Sequence, residues 1–108
     1  MASRAWKEEV AYLLLHELDA KLSPLGYHVM LQGGRRMVSL ELMLYPAIQE
    51  KDRGDVSAAM RANDLRFVEK RPLKSPKKFG DMSLREKEVW VHGRGKSERR
   101  VELFIQPT

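Results

Sequence analysis

The sequence predicts an α+β domain in which an N-terminal amphipathic helix packs on a mainly antiparallel sheet built from two β-hairpins. Three observations carry this prediction: apolar residues at helical spacing near the N-terminus, and two pairs of alternating apolar runs that are each joined by glycines. The 108 residues fit a single domain, 1–108, and their 43% apolar content is typical of a soluble globular protein.

The first helix is predicted from apolar residues that recur every three or four positions. This stripe comprises Trp6, Val10, Leu13, Leu14, Leu18 and Leu22. Ser3 is the candidate cap of this helix, and Glu8 and Glu9 lie in its early turns, where the positive end of the helix dipole favours carboxylates. Pro24 and Gly26 end the helix, because proline restrains the residue before it and glycine relaxes the turn.

The first hairpin joins residues 27–32 to residues 35–45 through a glycine pair that tolerates the positive φ of a tight turn. A two-residue turn there places Val29 opposite Val38. One face is then apolar and is expected to lie under the helix: Tyr27, Val29, Leu31, Val38, Leu40, Leu42 and Leu44. The other face is mixed and carries three methionines: His28, Met30, Met37, Ser39, Glu41, Met43 and Tyr45. This second face is expected either to be covered by the later chain or to contact a partner.

The middle of the chain carries weaker patterns. A short helix is predicted to end near Asn63, after an alanine-rich turn. Leu65 and Phe67 alternate with charged residues, which is typical of a short edge strand. Prolines and a glycine interrupt a lysine-rich run over residues 70–81, so this segment is predicted to be a basic, extended loop. Such loops are often flexible.

A second hairpin is predicted from residues 88–92 and 99–106, which flank a glycine-containing loop. Aliphatic residues are assigned to its first face: Val89, Val91, Val101, Leu103 and Ile105. Aromatic and charged residues are assigned to its second face: Trp90, His92, Arg100, Glu102 and Phe104. The second face would therefore present an aromatic ring beside cations.

Charge is distributed unevenly along the chain. Residues 1–54 hold seven basic and seven acidic side chains, whereas residues 55–108 hold thirteen basic and eight acidic ones and so carry the whole net charge of +5. This asymmetry indicates a polyanionic partner or well-solvated loops. The candidate phosphate-binding residues are Lys70, Arg71, Lys74, Lys77, Lys78, Arg94, Lys96, Arg99 and Arg100. Trp90 is the candidate for base stacking, and packing in the core is its alternative role.

Several classes of function are disfavoured by the residues themselves. Absence of cysteine excludes disulfides, cysteine-ligated metals and a thiol nucleophile. His28, His92 and Glu41 do not form a defensible metal site, and no serine lies in a nucleophile turn, so neither a metal, a cofactor nor a catalytic residue is assigned. The longest apolar run, 10–15, is too short to span a membrane, and no leader is apparent, so a cytoplasmic location is expected.

These observations favour a small non-enzymatic accessory domain that binds DNA or RNA electrostatically with weak sequence specificity. An enzyme is the less favoured reading. The alternative function is a protein-interaction or assembly module, either a homodimer or a subunit docked on an acidic protein surface. The residues of that alternative interface are Met30, Met37, Met43 and Tyr45.

Overall fold

The structure, a computed structural model, describes residues 6–33, 39–79 and 81–105. Within these ranges it has two α-helices, α1 (Glu8–Leu22) and α2 (Arg53–Ala62). The five strands are β1 (His28–Gly33), β2 (Ser39–Tyr45), β3 (Leu65–Phe79), β4 (Met82–His92) and β5 (Arg99–Ile105). They form one sheet in the order β1-β2-β5-β4-β3, in which β2 and β5 are parallel and all other neighbours are antiparallel. The predicted α+β class with a mainly antiparallel sheet is confirmed.

Helix α1 covers one face of the sheet, as the apolar stripe predicts. Its residues Leu14, Leu18 and Leu22 are buried with Trp6 and with residues of β1, β2, β4 and β5 in one core cluster. Leu13 departs from the prediction, because its side chain is exposed on the outer side of the helix. A 3-10 turn with Pro24 follows, and Gly26 adopts a φ of 93°, which confirms the predicted stop.

The first hairpin has its predicted faces but a different register. Val29 lies opposite Leu44 rather than Val38, and Leu31 lies opposite Leu42. Leu44 follows Val38 by six residues, an even number, so the same side chains still point toward α1. The predicted register is therefore wrong, whereas the described residues of the apolar face are confirmed to lie under the helix; Gly34 of the predicted turn and Val38 lie outside the described residues.

The last hairpin departs from prediction in a way that does change its faces. Trp90 lies opposite Val101, and Val89 lies opposite Glu102. Cross-strand partners share a face, so Trp90 points toward the helices together with Val101. The predicted faces, which put Trp90 with Glu102, are therefore wrong. A register shift of one residue between two strands moves every side chain of one strand to the opposite face relative to the other strand.

The basic segment is a strand rather than a loop, so the prediction for residues 70–81 is wrong over residues 70–79. Here β3 pairs with β4 in a long hairpin, for example Lys70 with Glu88 and Lys78 with Ser83. Two register shifts interrupt the pairing, one between Phe67 and Glu69 and one between Pro72 and Lys77. Prolines and bulges are compatible with β3 because it is the last strand of the sheet, where one side of the backbone needs no strand partner.

A second, smaller core lies on the sheet face that α1 does not cover. Met43 of β2 and Phe104 of β5 are buried there under the β3–β4 hairpin. The hairpin contributes the side chains Leu73, Met82 and Leu84. Its far end therefore packs back on the sheet, and the methionine-bearing face is covered by the later part of the same chain.

Candidate functional site

The cations assigned to phosphate binding do not form a single patch. Lys74, Lys77 and Lys78 lie at the end of the β3–β4 hairpin, whereas Arg94 and Lys96 lie in the loop that joins β4 to β5. These two groups flank opposite ends of β4, which corresponds to about 30 Å at the usual rise per strand residue. Each group must therefore be assessed as a separate surface.

The end of the β3–β4 hairpin carries four exposed cations. We call this cluster the ribbon end; it consists of Lys74, Lys77, Lys78 and Arg85. Five positions separate Pro72 from Lys77 on β3, but only two separate their partners on β4, so the intervening residues form a bulge that exposes Lys74. Within the described ranges, Lys74, Lys78 and Arg85 form no ion pair with an acidic side chain. Their charge is therefore available to an external anion.

Lys77 differs from the other members of the ribbon end because it also holds the hairpin in place. Its Nζ lies 4.5 Å from the centroid of the Phe104 ring, in a cation–π contact. The same ring is buried under Met82 and Leu84. Lys77 thus helps to fix the ribbon end on the body of the sheet.

The cations in the middle of β3 are paired with carboxylates. Lys70 Nζ lies 3.1 Å from Glu86 Oε2. Arg71 donates two hydrogen bonds to Glu69, of 2.7 and 2.9 Å, and this bidentate contact lowers the pKa of the Glu69 carboxyl. These pairs are exposed and are weak in water, but they cancel the local charge. The sequence could not show the Lys70–Glu86 pair, because Glu86 is distant from Lys70 along the chain.

Arg100 is also engaged within the protein. Its guanidinium contacts the buried carboxylate of Glu102 at 2.8 and 3.0 Å, and Lys87 Nζ contacts the same oxygen at 3.2 Å. Removing a cation from such a buried carboxylate is destabilising, because its charge is then incompletely compensated. Arg100 is therefore a structural residue of the sheet rather than an exposed phosphate ligand.

The loop between β4 and β5 places Arg94 and Lys96 in exposed positions around a 3-10 turn. Ser97 Oγ donates to the Arg94 carbonyl at 2.7 Å, which fixes the turn. Arg99 instead lies over the Trp6 ring, 5.7 Å from its centroid, and donates to the Ser97 carbonyl. Of the predicted cations in this region, Arg94 and Lys96 face solvent and Arg99 packs on the protein.

Trp90 lies in the core and cannot stack on a base in this structure. Its side chain is 2% exposed, and its indole N–H donates to Glu88 Oε1 at 3.0 Å. The predicted stacking role of Trp90 is wrong because the β4–β5 register turns its side chain toward the helices. Core packing, the alternative role, is the one observed.

The methionine face does not form an exposed surface either. Met43 is 0% exposed, and Met30 is partly buried against the same second core. Tyr45, at 47% exposure, is the large exposed side chain of this group, while Met37 lies outside the described residues. Met43 is therefore not available to a partner in the folded chain, since the β3–β4 hairpin covers it, whereas an interface that uses Met30, Met37 and Tyr45 stays a prediction.

Phe67, which the sequence places on an edge strand without a functional role, is an exposed aromatic residue. It is 53% exposed and lies on β3 directly opposite Trp90. The two rings meet edge to face, with centroids 5.4 Å apart and planes at 79°. In the sequence, the feature that could have indicated an exposed Phe67 is its position among charged residues on a predicted edge strand. The alternation of apolar and charged residues does not show whether Phe67 or Trp90 is the buried ring.

His92 is the last residue of β4 and lies beside the two helices. Its ring is 5.4 Å from that of Trp6, and its buried Nδ1 has no hydrogen-bond partner among the described residues. Burial lowers the pKa of His92; nearby Asp64 opposes this effect, and Arg99 adds to it. The residue borders an open groove of about 280 Å³ between α1 and the end of α2.

Lowering the pH is expected to destabilise the fold through His92. Because its pKa is lower in the folded chain than the ordinary value of 6.5, the unfolded chain binds the proton first. The stabilisation is fully present above about pH 6.5 and is lost as the pH falls toward the folded-state pKa. Urea midpoints at about pH 7.5 and about pH 5 for wild type and His92→Phe measure this effect. An identical pH dependence in the two proteins would contradict it.

Within the described ranges, no group of three or more His, Asp or Glu side chains is arranged to hold a metal ion. None of the helices in the same ranges is long and apolar enough to cross a membrane. The chain matches no protein-family model and has no significant match among curated proteins.

Proposed function

We propose that the protein is a small, non-enzymatic accessory domain that binds nucleic acid through the ribbon end. The observation that supports this proposal is the group of exposed side chains of Lys74, Lys78 and Arg85, which have no acidic partner in the described ranges. Clustered cations of this kind attract phosphates and release condensed counterions from the nucleic acid. The binding is accordingly electrostatic and sensitive to salt.

Protection of the sheet edge is a structural explanation for basic residues on β3. Lysines, prolines and bulges on an edge strand all hinder pairing with another chain. That explanation accounts for Pro72 and for the paired Lys70. It accounts less well for Lys74, because the bulge at this position already interrupts the backbone ladder. Additional charge at the ribbon end is better explained by an anionic ligand.

Binding by this protein is expected to have weak sequence specificity, because the exposed charged residues of α1 are mainly acidic. Specific DNA readout commonly uses a helix whose side chains reach base edges, whereas contacts to phosphates carry no sequence information directly. The exposed residues of α1 include Glu8, Glu9 and Glu17, which would be repelled by phosphates. The ribbon end offers lysines and one arginine, which are suited to the backbone.

The structure supports a protein-interaction function less well than the sequence does. Of its four residues, Met43 is buried within the chain, although Tyr45 stays exposed. Measurement of the solution mass under the binding conditions tests the homodimer directly. The nucleic-acid proposal requires no second copy.

Reversing two charges of the ribbon end is expected to weaken binding strongly. We expect Lys74→Glu/Lys78→Glu to reduce affinity at low salt by at least about tenfold and to reduce the log–log salt slope by about one unit per lysine. Lys77 is left unchanged because its ammonium packs on Phe104. Fluorescence anisotropy with labelled DNA and RNA measures both quantities.

The matched control is Lys21→Glu/Lys51→Glu, which makes the same change in net charge on exposed residues at the end of α1 and in the turn before α2. A general effect of net charge would weaken binding equally in the two variants. A local interface at the ribbon end predicts that the control retains most of its affinity. Equal loss in both variants, or no loss in the first, would overturn the proposed location.

A further inference from the structure

Phe67 is held in a defined orientation at the surface of a basic strand. Its ring contacts the buried Trp90 edge to face, and Trp90 is in turn fixed by the hydrogen bond from its indole N–H to Glu88. More than half of the Phe67 side chain nevertheless faces solvent. A ring that is already braced loses little conformational entropy when a flat ligand stacks on it.

The backbone around Phe67 also departs from a regular strand. The register shifts between Phe67 and Glu69, so Val68 is the extra residue of a bulge, and its side chain is also exposed. Bulges redirect side chains and are frequent beside functional sites. Phe67 and Val68 thus form a small apolar spot on an otherwise charged strand.

The carboxylates near Phe67 are already engaged by protein groups. Glu98 pairs with Arg66, Glu69 pairs with Arg71, and Glu88 accepts the hydrogen bond from the Trp90 indole. The cations Arg66 and Arg71 therefore offset the charges of Glu98 and Glu69, whereas Glu88 keeps its charge and directs one oxygen to the buried indole. Exposed ion pairs of this type contribute only about 0–1 kcal/mol, so a phosphate can compete for their cations.

Phe67 and the ribbon end lie on the same hairpin at a useful distance. Phe67 is opposite Trp90, Lys70 is opposite Glu88 and Lys77 of the ribbon end is opposite Leu84, so even separations of two and six residues on β4 join these three positions. The six residues correspond to about 20 Å along the strand, with Lys70 between the two points. A segment of a few nucleotides can cover that distance with one base at Phe67 and its phosphates near the lysines.

We infer that Phe67 stacks on an unpaired base and that the ligand is single-stranded nucleic acid lying along β3 toward the ribbon end. This inference rests on the proposed function. In a duplex the faces of the bases are covered by their neighbours, so an aromatic ring reaches a base face only where the strand is unpaired. Combined stacking and phosphate contacts are how proteins bind single strands without strong sequence preference.

Replacing Phe67 tests the inference against a matched duplex. For Phe67→Leu we expect affinity for a single-stranded oligonucleotide to fall about 5- to 150-fold, the usual effect of losing one stacked base. Affinity for the duplex of the same sequence should be unchanged. Phe67→Trp is expected to retain single-strand binding, because the larger ring can also stack. Tyr45→Leu, which removes an exposed aromatic ring from β2, serves as the matched control.

The outcomes separate this inference from the function on which it rests. Binding that prefers the duplex, or that Phe67→Leu leaves unchanged, overturns the stacking role while the ribbon end remains a phosphate-binding surface. An equal loss for single strands and duplex overturns it as well, and a urea titration of Phe67→Leu then identifies damage to the fold as the cause. Absence of binding by the wild-type protein to either form at low salt overturns both proposals.

Discussion

Replacement of Trp90 by alanine is expected to lower the free energy of unfolding by about 3–5 kcal/mol. The side chain is 2% exposed and belongs to the main core, and its removal also leaves Glu88 without the hydrogen bond it accepts. Mutations of this kind create a cavity that the surrounding side chains fill only in part. Equilibrium unfolding in urea measures the loss.

Trp90→Phe is the control for that experiment, since it keeps an aromatic ring in the core while it removes the indole N–H. Its expected loss is smaller than that of the alanine variant, because most of the buried volume is retained. The account would be contradicted if Trp90→Ala kept the stability of wild type and lost nucleic-acid binding. That result would return Trp90 to the stacking role that the sequence suggested.

Replacement of Met43 by alanine is expected to cost about 2–5 kcal/mol of stability in the isolated chain. Met43 is 0% exposed and packs with Phe104 and with Met82 of the β3–β4 hairpin. The ribbon end is attached to the sheet by this second core, so its loss should also loosen the hairpin. Hydrogen exchange of the β4 amides, compared with those of β1, detects such local loosening.

Met30→Ala is the matched control for Met43→Ala, because Met30 is only partly buried beside the same cluster. A smaller loss of stability is expected for it. If Met43 instead belonged to an interface between copies, Met43→Ala would lower the solution mass and leave the unfolding of the monomer unchanged. That pair of results would contradict the intramolecular packing.

Local patterns in the sequence were sufficient for several elements. The spacing of Leu14, Leu18 and Leu22 predicts α1 because a helix repeats every 3.6 residues, and its buried face follows from that period alone. The end of α2 before Asn63 is likewise confirmed. The apolar face of the first hairpin survives an incorrect register, since side-chain alternation is preserved by any even shift.

Long-range register was not accessible in the same way. The face on which Trp90 lies depends on the β4–β5 register. A loop one residue longer or shorter would pair Trp90 with a neighbour of Val101 and so place it on the opposite face of β5. Glycine-rich loops accept several lengths, so the sequence does not select one. For β3, the two prolines argue against a strand in general, but the edge position and the bulges accommodate them.

The candidate site was predicted only in part for related reasons. The sequence predicts that Lys74 and Lys78 are exposed because both are charged and lie in a lysine-rich segment, and the structure places both at the surface. The neutralisation of Lys70 by Glu86 depends on the β3–β4 pairing, which no local pattern reveals. Exposure of Phe67 likewise becomes evident only when its partner Trp90 is seen to occupy the core.

The central claim is that the ribbon end binds nucleic acid through its exposed cations. Its most direct test is the affinity of the wild-type protein for labelled single-stranded DNA and RNA, measured by anisotropy from about 50 to about 200 mM salt. If the four cations of the ribbon end each neutralise one phosphate, the logarithm of the binding constant should fall with a slope of about 3 against the logarithm of salt concentration. Absence of binding at the lowest salt concentration, or affinity independent of salt, would contradict the claim.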